Sequence, residues 1–141
     1  MNLHDSAILL YCIAAAAVLI YLPFLVVGYA RMSVGYDTRA PRAMFDKLPP
    51  YGQRATWAHQ NSFEAFMIFA AAALMAYVTG QNSSLATGAA IAFVIARSLY
   101  SVFYILNIPV GRSLMFGIGS LSTTILFVLS LLSASSASSL L

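Results

Sequence analysis

The chain has 141 residues, 61% of them hydrophobic and only 8% charged, with a formal net charge of +3 and a mean hydropathy of +0.85. A soluble domain carries roughly 25% charged residues on a mixed surface, so composition excludes one and predicts a single-domain integral membrane protein. A single cysteine, Cys12, excludes an intrachain disulfide and a cysteine-based metal site within one chain.

A helix crossing a membrane needs about 20 mostly apolar residues, and four runs meet that length. Residues 1–6 contain His4 and Asp5 but neither Lys nor Arg. They lack the basic start of a cleaved leader, so the first run, 6–30, reads as a retained span that Pro23 can kink. Cys12 within it reads as a small buried hydrophobe. The first loop, 31–52, holds Pro41, Pro49, Pro50 and most of the charge, and shows no apolar periodicity. A connection of that length in a compact domain is more often functional than a plain link.

The second run covers 53–79 and the third 85–107, joined by the tight turn Gly80–Ser84, which predicts antiparallel neighbours. A second short connection, Asn107–Gly111, follows, with Pro109 stopping the third helix and Gly111 easing the turn. The fourth run, 112–132, leads into a Ser/Ala tail expected to fray. The expected fold is all-α, an up-down bundle of four membrane helices. Small residues at Ala70–Ala73 and Gly88–Ala90 allow close helix approach within or between subunits. No internal repeat supports a transporter of the inverted-repeat kind.

Charge is unevenly spread. Arg31, Arg39, Arg42, Lys47 and Arg54 cluster around the first loop, and Arg97 and Arg112 flank the last connection. Basic loops remain cytoplasmic, so loops 31–52 and 108–111 are expected on that side and both termini on the other. The positives are juxtamembrane and no basic-aromatic RNA motif accompanies them, which argues against nucleic acid as a partner.

Polar groups at membrane depth are costly and usually mark a functional site. Asn61 and Glu64 lie one helical turn apart inside the second run, and Arg54, seven residues before Asn61, shares their face. In the third run Arg97, Tyr100 and Tyr104 form a second stripe at i, i+3, i+7, and Arg112 opens the fourth just past the turn. Both stripes are expected in the cytoplasmic halves of their helices, at the same membrane depth reached from opposite chain directions. A pocket lined by these residues has three guanidinium groups and one carboxylate, which suits a polar anion bearing two carboxylates and an ammonium group. Taken singly, each admits a plainer reading. Arg54 can be a boundary residue whose head snorkels to water, the tyrosines can be interfacial belt aromatics, and Glu64 with Arg97 can be a structural ion pair. His59 reads as a packing residue. No P-loop, dinucleotide glycine fingerprint, GxSxG or HExxH is present.

At these residues the chain resembles the MAPEG family, membrane-associated proteins in eicosanoid and glutathione metabolism. The stretches that carry the likeness are RATWAHQNSFEAF at Arg54–Phe66, RSLYSVFYILNIPVGRS at Arg97–Ser113 and GYDTRAPRA at Gly35–Ala43, the last resembling bacterial members. The resemblance implies a homotrimer of four-helix subunits with glutathione, and no metal, between neighbours near the cytoplasmic face. It further implies that Arg54, Asn61 and Glu64 hold the peptide and its charged ends, that Arg97, Tyr100 and Tyr104 complete the pocket, and that Arg112 stabilises the thiolate. A guanidinium near a thiol favours the nucleophilic thiolate, and arginine acts there electrostatically rather than as a base. The implied activity is glutathione transfer to, or peroxidase reduction of, an apolar electrophile. The family also contains lipid binders without catalysis, so a lipid-binding or accessory subunit of a larger membrane complex is the competing expectation. Trp57 stands where many animal members carry a second arginine. A channel is disfavoured because the polar residues stop midway along the helices.

Overall fold

The computed structural model describes residues 3–138. Four long helices follow in order: α1 (Leu3–Ser33), α2 (Pro50–Val78), α3 (Ser84–Ile105) and α4 (Pro109–Ser138), with a short 3-10 helix (Pro41–Lys47) between the first two. Each long helix has the length and apolarity to cross a membrane. α2 and α3 touch along the middle, and α1 and α4 each pack against both from either side. This is the expected all-α four-helix bundle of an integral membrane protein. Large apolar side chains such as Tyr11, Val18, Leu25, Met67, Ile95 and Leu121 point outward, as lipid-facing surfaces require.

Two ends of the bundle are distinct. At the turn end, Thr79–Ser83 joins α2 to α3. Gly80 takes φ +69°, Gln81 N donates to Ala76 O at 2.9 Å, and Ser83 Oγ caps α3 by accepting from Ala86 N at 3.2 Å. Gln81 Nε2 also donates to Leu129 O at 2.9 Å and to Ser133 Oγ, tying this turn to α4. Below it lies the main core: Leu9, Cys12, Ala16, Ala72, Ala73, Ala76, Ala86, Ala90 and Leu126, with Phe69 and Phe93 stacked at 3.8 Å between centroids and 3° between planes. The small side chains let the helix backbones approach, and dispersion between close atoms replaces the hydrophobic drive that lipid removes.

At the loop end, Val27, Ala30, Leu48 and Ala55 form a second apolar cluster. A methyl at Gly52 would sit 2.7 Å from Ala30 Cβ, so only glycine lets the start of α2 lie this close to the end of α1.

Several segments differ from expectation. The first loop contains ordered structure: Pro41 starts the 3-10 helix, whose Met44 is buried together with Leu48 just past its end. Its apolar anchors are too few to show a period in the sequence. Pro109 begins α4 instead of merely ending α3, because a helix start has no use for the missing N–H. α3 stops at Ile105 through Asn107, whose φ of 59° is the left-handed region that asparagine tolerates. Gly111 therefore lies inside α4 rather than in the turn; a methyl there would meet the Phe103 ring at 2.8 Å. The tail after Leu132 continues as helix to Ser138 instead of fraying. The Ser135 and Ser136 hydroxyls each donate to Leu132 O at 2.9 Å, satisfying themselves within the helix. Residues 139–141 lie outside the described part.

Candidate functional site

The polar residues of α2 and α3 gather in the half of the bundle towards the loop end. Arg97 is the organising group. Its side chain is only 4% exposed, and a buried cation needs partners or a large desolvation cost remains. Its Nη2 donates to Asn61 Oδ1 at 2.9 Å and to Ser62 Oγ at 3.2 Å, while its guanidinium lies 4.0 Å from the Tyr100 ring centroid. Ser62 Oγ in turn approaches Ser101 Oγ at 3.5 Å. The compensation comes from neutral oxygens and a ring face, with no carboxylate. Glu64 makes no hydrogen bond or ion pair among the described residues, so the structural pair with Arg97 does not form. Arg97 Nε is buried without a partner there.

A chain of rings continues upward. Tyr100 and Tyr104 meet edge to face at 5.5 Å, and the Arg112 guanidinium lies 4.6 Å from the Tyr104 centroid. Helical spacing dictates this ladder. Arg97, Tyr100 and Tyr104 fall on one face of α3, and the short connection brings Arg112 back beside it. Phe116, one turn after Arg112, lies 6.4 Å from Tyr100.

Two cavities share Asn61 and Glu64. The outer one, about 350 Å³, is lined by those two with Trp57, Gln60 and Tyr104. The inner one, about 340 Å³, runs between α2, α3 and α4 from Asn61, Glu64 and Arg97 to Ile68, Phe93 and Phe127. Glu64 is exposed and carries the carboxylate to both. An outer vestibule with Gln60, Asn61, Glu64 and Tyr104 in its wall thus adjoins a more apolar chamber.

The expected residues separate accordingly. Asn61, Glu64, Arg97 and Tyr104 line the cavities, whereas Arg54, Tyr100 and Arg112 line neither. Tyr100 is 4% exposed and serves as the platform beneath Arg97. Arg112 is held beside the vestibule by the Tyr104 ring. Arg54 Nε donates to Ile105 O at 2.9 Å, an orphan carbonyl at the end of α3 that a cation suits well. Arg54 therefore ties α2 to α3 above the site. Ser62, Ser101 and Gln60 were not singled out from sequence. Ser62 adjoins Asn61, and Ser101 lies four residues after Arg97 on its face, so helical spacing from Arg97 is the signal that finds them.

His59 bears out its packing role. Nδ1 lies 2.8 Å from Ile20 O, at the stretch of α1 where Pro23 disturbs the backbone hydrogen bonds, and its ring contacts Phe24 at 5.0 Å. It also lines a third cavity, with Arg31 and Arg42, between α1 and the 3-10 helix. Trp57 packs on Phe45 at 5.5 Å, linking the first loop to the vestibule wall. Among the described residues no group of three His, Cys, Asp or Glu side chains is placed to hold a metal ion.

A family model described as the MAPEG family matches residues 8–132, a stretch that contains both polar stripes, all of α2 and α3 and most of α1 and α4. No curated protein and no solved structure matches the chain. The family is one of membrane proteins of glutathione and eicosanoid metabolism, which accords with a bundle carrying a polar pocket at membrane depth. The chain belongs to the MAPEG family.

Proposed function

We propose that the protein is a membrane glutathione transferase or peroxidase, which binds glutathione in the vestibule and an apolar electrophile in the adjoining chamber. The observation that carries this reading is the shared boundary of the two cavities at Asn61 and Glu64. Glutathione carries two carboxylates, one ammonium and a thiol. Among the described residues Glu64 is the only carboxylate lining the two cavities and has no hydrogen-bond or ion-pair partner, so it pairs with the ammonium. Asn61, oriented by Arg97, offers its amide to the peptide, and Tyr104 closes the side towards Arg112. The Arg112 guanidinium supplies the positive potential that lowers the thiol pKa, which is otherwise about 8.5. Holding the thiolate against a bound electrophile converts an encounter in two dimensions into a positioned reaction.

Assembly as a homotrimer belongs to the same proposal. Trp57, Gln60 and Glu64 lie on the outside of the bundle, where a neighbouring copy would close the open vestibule. The cytoplasmic placement of the loop end rests on its basic residues.

The purified protein should conjugate glutathione to a model electrophile, and Arg112→Ala should lower turnover about 100-fold while Lys47→Ala, on the exposed loop, leaves it unchanged. Equal effects of the two substitutions would remove Arg112 from the chemistry. The second reading, a non-catalytic lipid-binding or accessory protein, is favoured by one observation: Arg112 lines neither cavity. Glutathione binding without turnover would select it.

A further inference from the structure

The inner chamber has a wall that a purely apolar ligand does not need. Ile68, Phe93, Phe116 and Phe127 suffice to surround a hydrocarbon chain, yet α4 presents Ser120, Thr123 and Thr124 to the same space. These positions stand at i, i+3 and i+4, so they form one polar patch on one helical face. Thr123 Oγ1 donates to Gly119 O at 3.0 Å and Thr124 Oγ1 to Ser120 O at 2.9 Å. Both hydroxyl protons are thereby committed to the backbone, and what remains on each oxygen is acceptor capacity. Ser120 Oγ makes no hydrogen bond among the described residues. Arg97 Nε, a buried donor without a partner among the described residues, belongs to the same chamber, and its side chain lies close to Gly119 beside this patch.

We propose that this chamber selects apolar chains bearing a hydroxyl group, with Thr123 and Thr124 as the hydrogen-bond acceptors that determine the choice. Each threonine oxygen already has one hydrogen bond and keeps a free lone pair, so a donating ligand adds a bond that a ligand of equal size that only accepts cannot make. A ketone or epoxide can take a hydrogen bond from Arg97 or Ser120 but gives nothing to the two threonines. The inference deepens the proposed function, on which it rests only for the chamber's place beside glutathione. Threonines of membrane helices also bond back to their own backbone for purely local reasons; such a role would affect stability and leave ligand choice unmoved.

The test is a direct comparison of a mid-chain secondary fatty alcohol with the ketone of the same chain, titrated without glutathione and followed by native mass spectrometry from detergent. Wild-type protein should bind the alcohol about three- to tenfold more tightly than the ketone. In the isosteric double variant Thr123→Val/Thr124→Val the two affinities should converge, with the ketone changed less than about twofold. Ser130→Ala, which removes a hydroxyl that bonds to Leu126 O away from the chamber, should preserve the preference. Equal binding of alcohol and ketone to wild type, or an undiminished preference in the double variant, overturns the proposal. Should the double variant fail to fold, Thr124→Val alone, at an exposed position, should still reduce the preference by about half of its logarithm, and an unchanged ratio there is equally fatal. Because no glutathione is present, failure here leaves the vestibule reading intact, and failure of glutathione to bind leaves the alcohol preference intact.

Discussion

The same two helices, α2 and α3, meet in two chemically opposite ways. Towards the turn end they meet through alanines and the stacked Phe69–Phe93 pair. Towards the loop end they meet through Arg97, Asn61, Ser62, Ser101 and the Tyr100 ring. Both contacts hold the helices together, but only the second leaves unsatisfied groups: Glu64 without a partner and Arg97 Nε without an acceptor. Packing that served stability alone would use the first solution throughout, since replacing buried polar groups by apolar ones is often neutral or stabilising. On the proposed function, the polar end exchanges stability for recognition.

Substitutions at the two ends should therefore fail differently. Phe69→Ala should have the largest effect on the fold, about 3–5 kcal/mol, through the cavity left in the close-packed half. Thermal unfolding in detergent measures it. Arg112→Ala should leave the unfolding temperature unchanged and lower turnover about 100-fold. Its pH profile carries the sign: a nearby guanidinium favours the thiolate, so wild type should gain activity through an apparent pKa below the free thiol's value of about 8.5, and the variant's should rise back towards it. Glu64→Gln should weaken glutathione binding about tenfold, the range of a charge-assisted hydrogen bond, with little change in stability because the side chain is exposed and unpartnered. Tyr100→Phe should have the smallest effect, under about 0.5 kcal/mol, because the ring beneath Arg97 is retained, whereas Tyr100→Leu should cost about 1–2 kcal/mol.

Much of this contrast is legible in the chain itself. Hydropathy marks the four spans, and helical periodicity places Asn61 with Glu64 and Arg97 with Tyr100 and Tyr104, because polar residues are conspicuous against lipid. Sequence spacing alone does not say which guanidinium is occupied. Arg54 shares the face of Asn61, but the end of α3 presents Ile105 O to it, and that meeting depends on how far α3 runs before Asn107 breaks it. The burial of Arg97 is a tertiary property in the same sense, since Ser62 and Ser101 become its surroundings only when α2 and α3 are in contact. The 3-10 helix is illegible in the sequence for a different reason: Met44 and Leu48 are isolated anchors in a charged, proline-rich segment. The hydroxyl wall of α4 is invisible to hydropathy, because serine and threonine scarcely lower the apolarity of the run that contains them.

The most direct measurement is a calorimetric titration of glutathione into the detergent-solubilised protein, alongside Glu64→Gln. Saturable binding to wild type, weakened about tenfold in the variant, is the expected result. No binding to wild type at millimolar glutathione, or equal binding to both proteins, would contradict the assignment of the Asn61–Glu64 vestibule as the glutathione site.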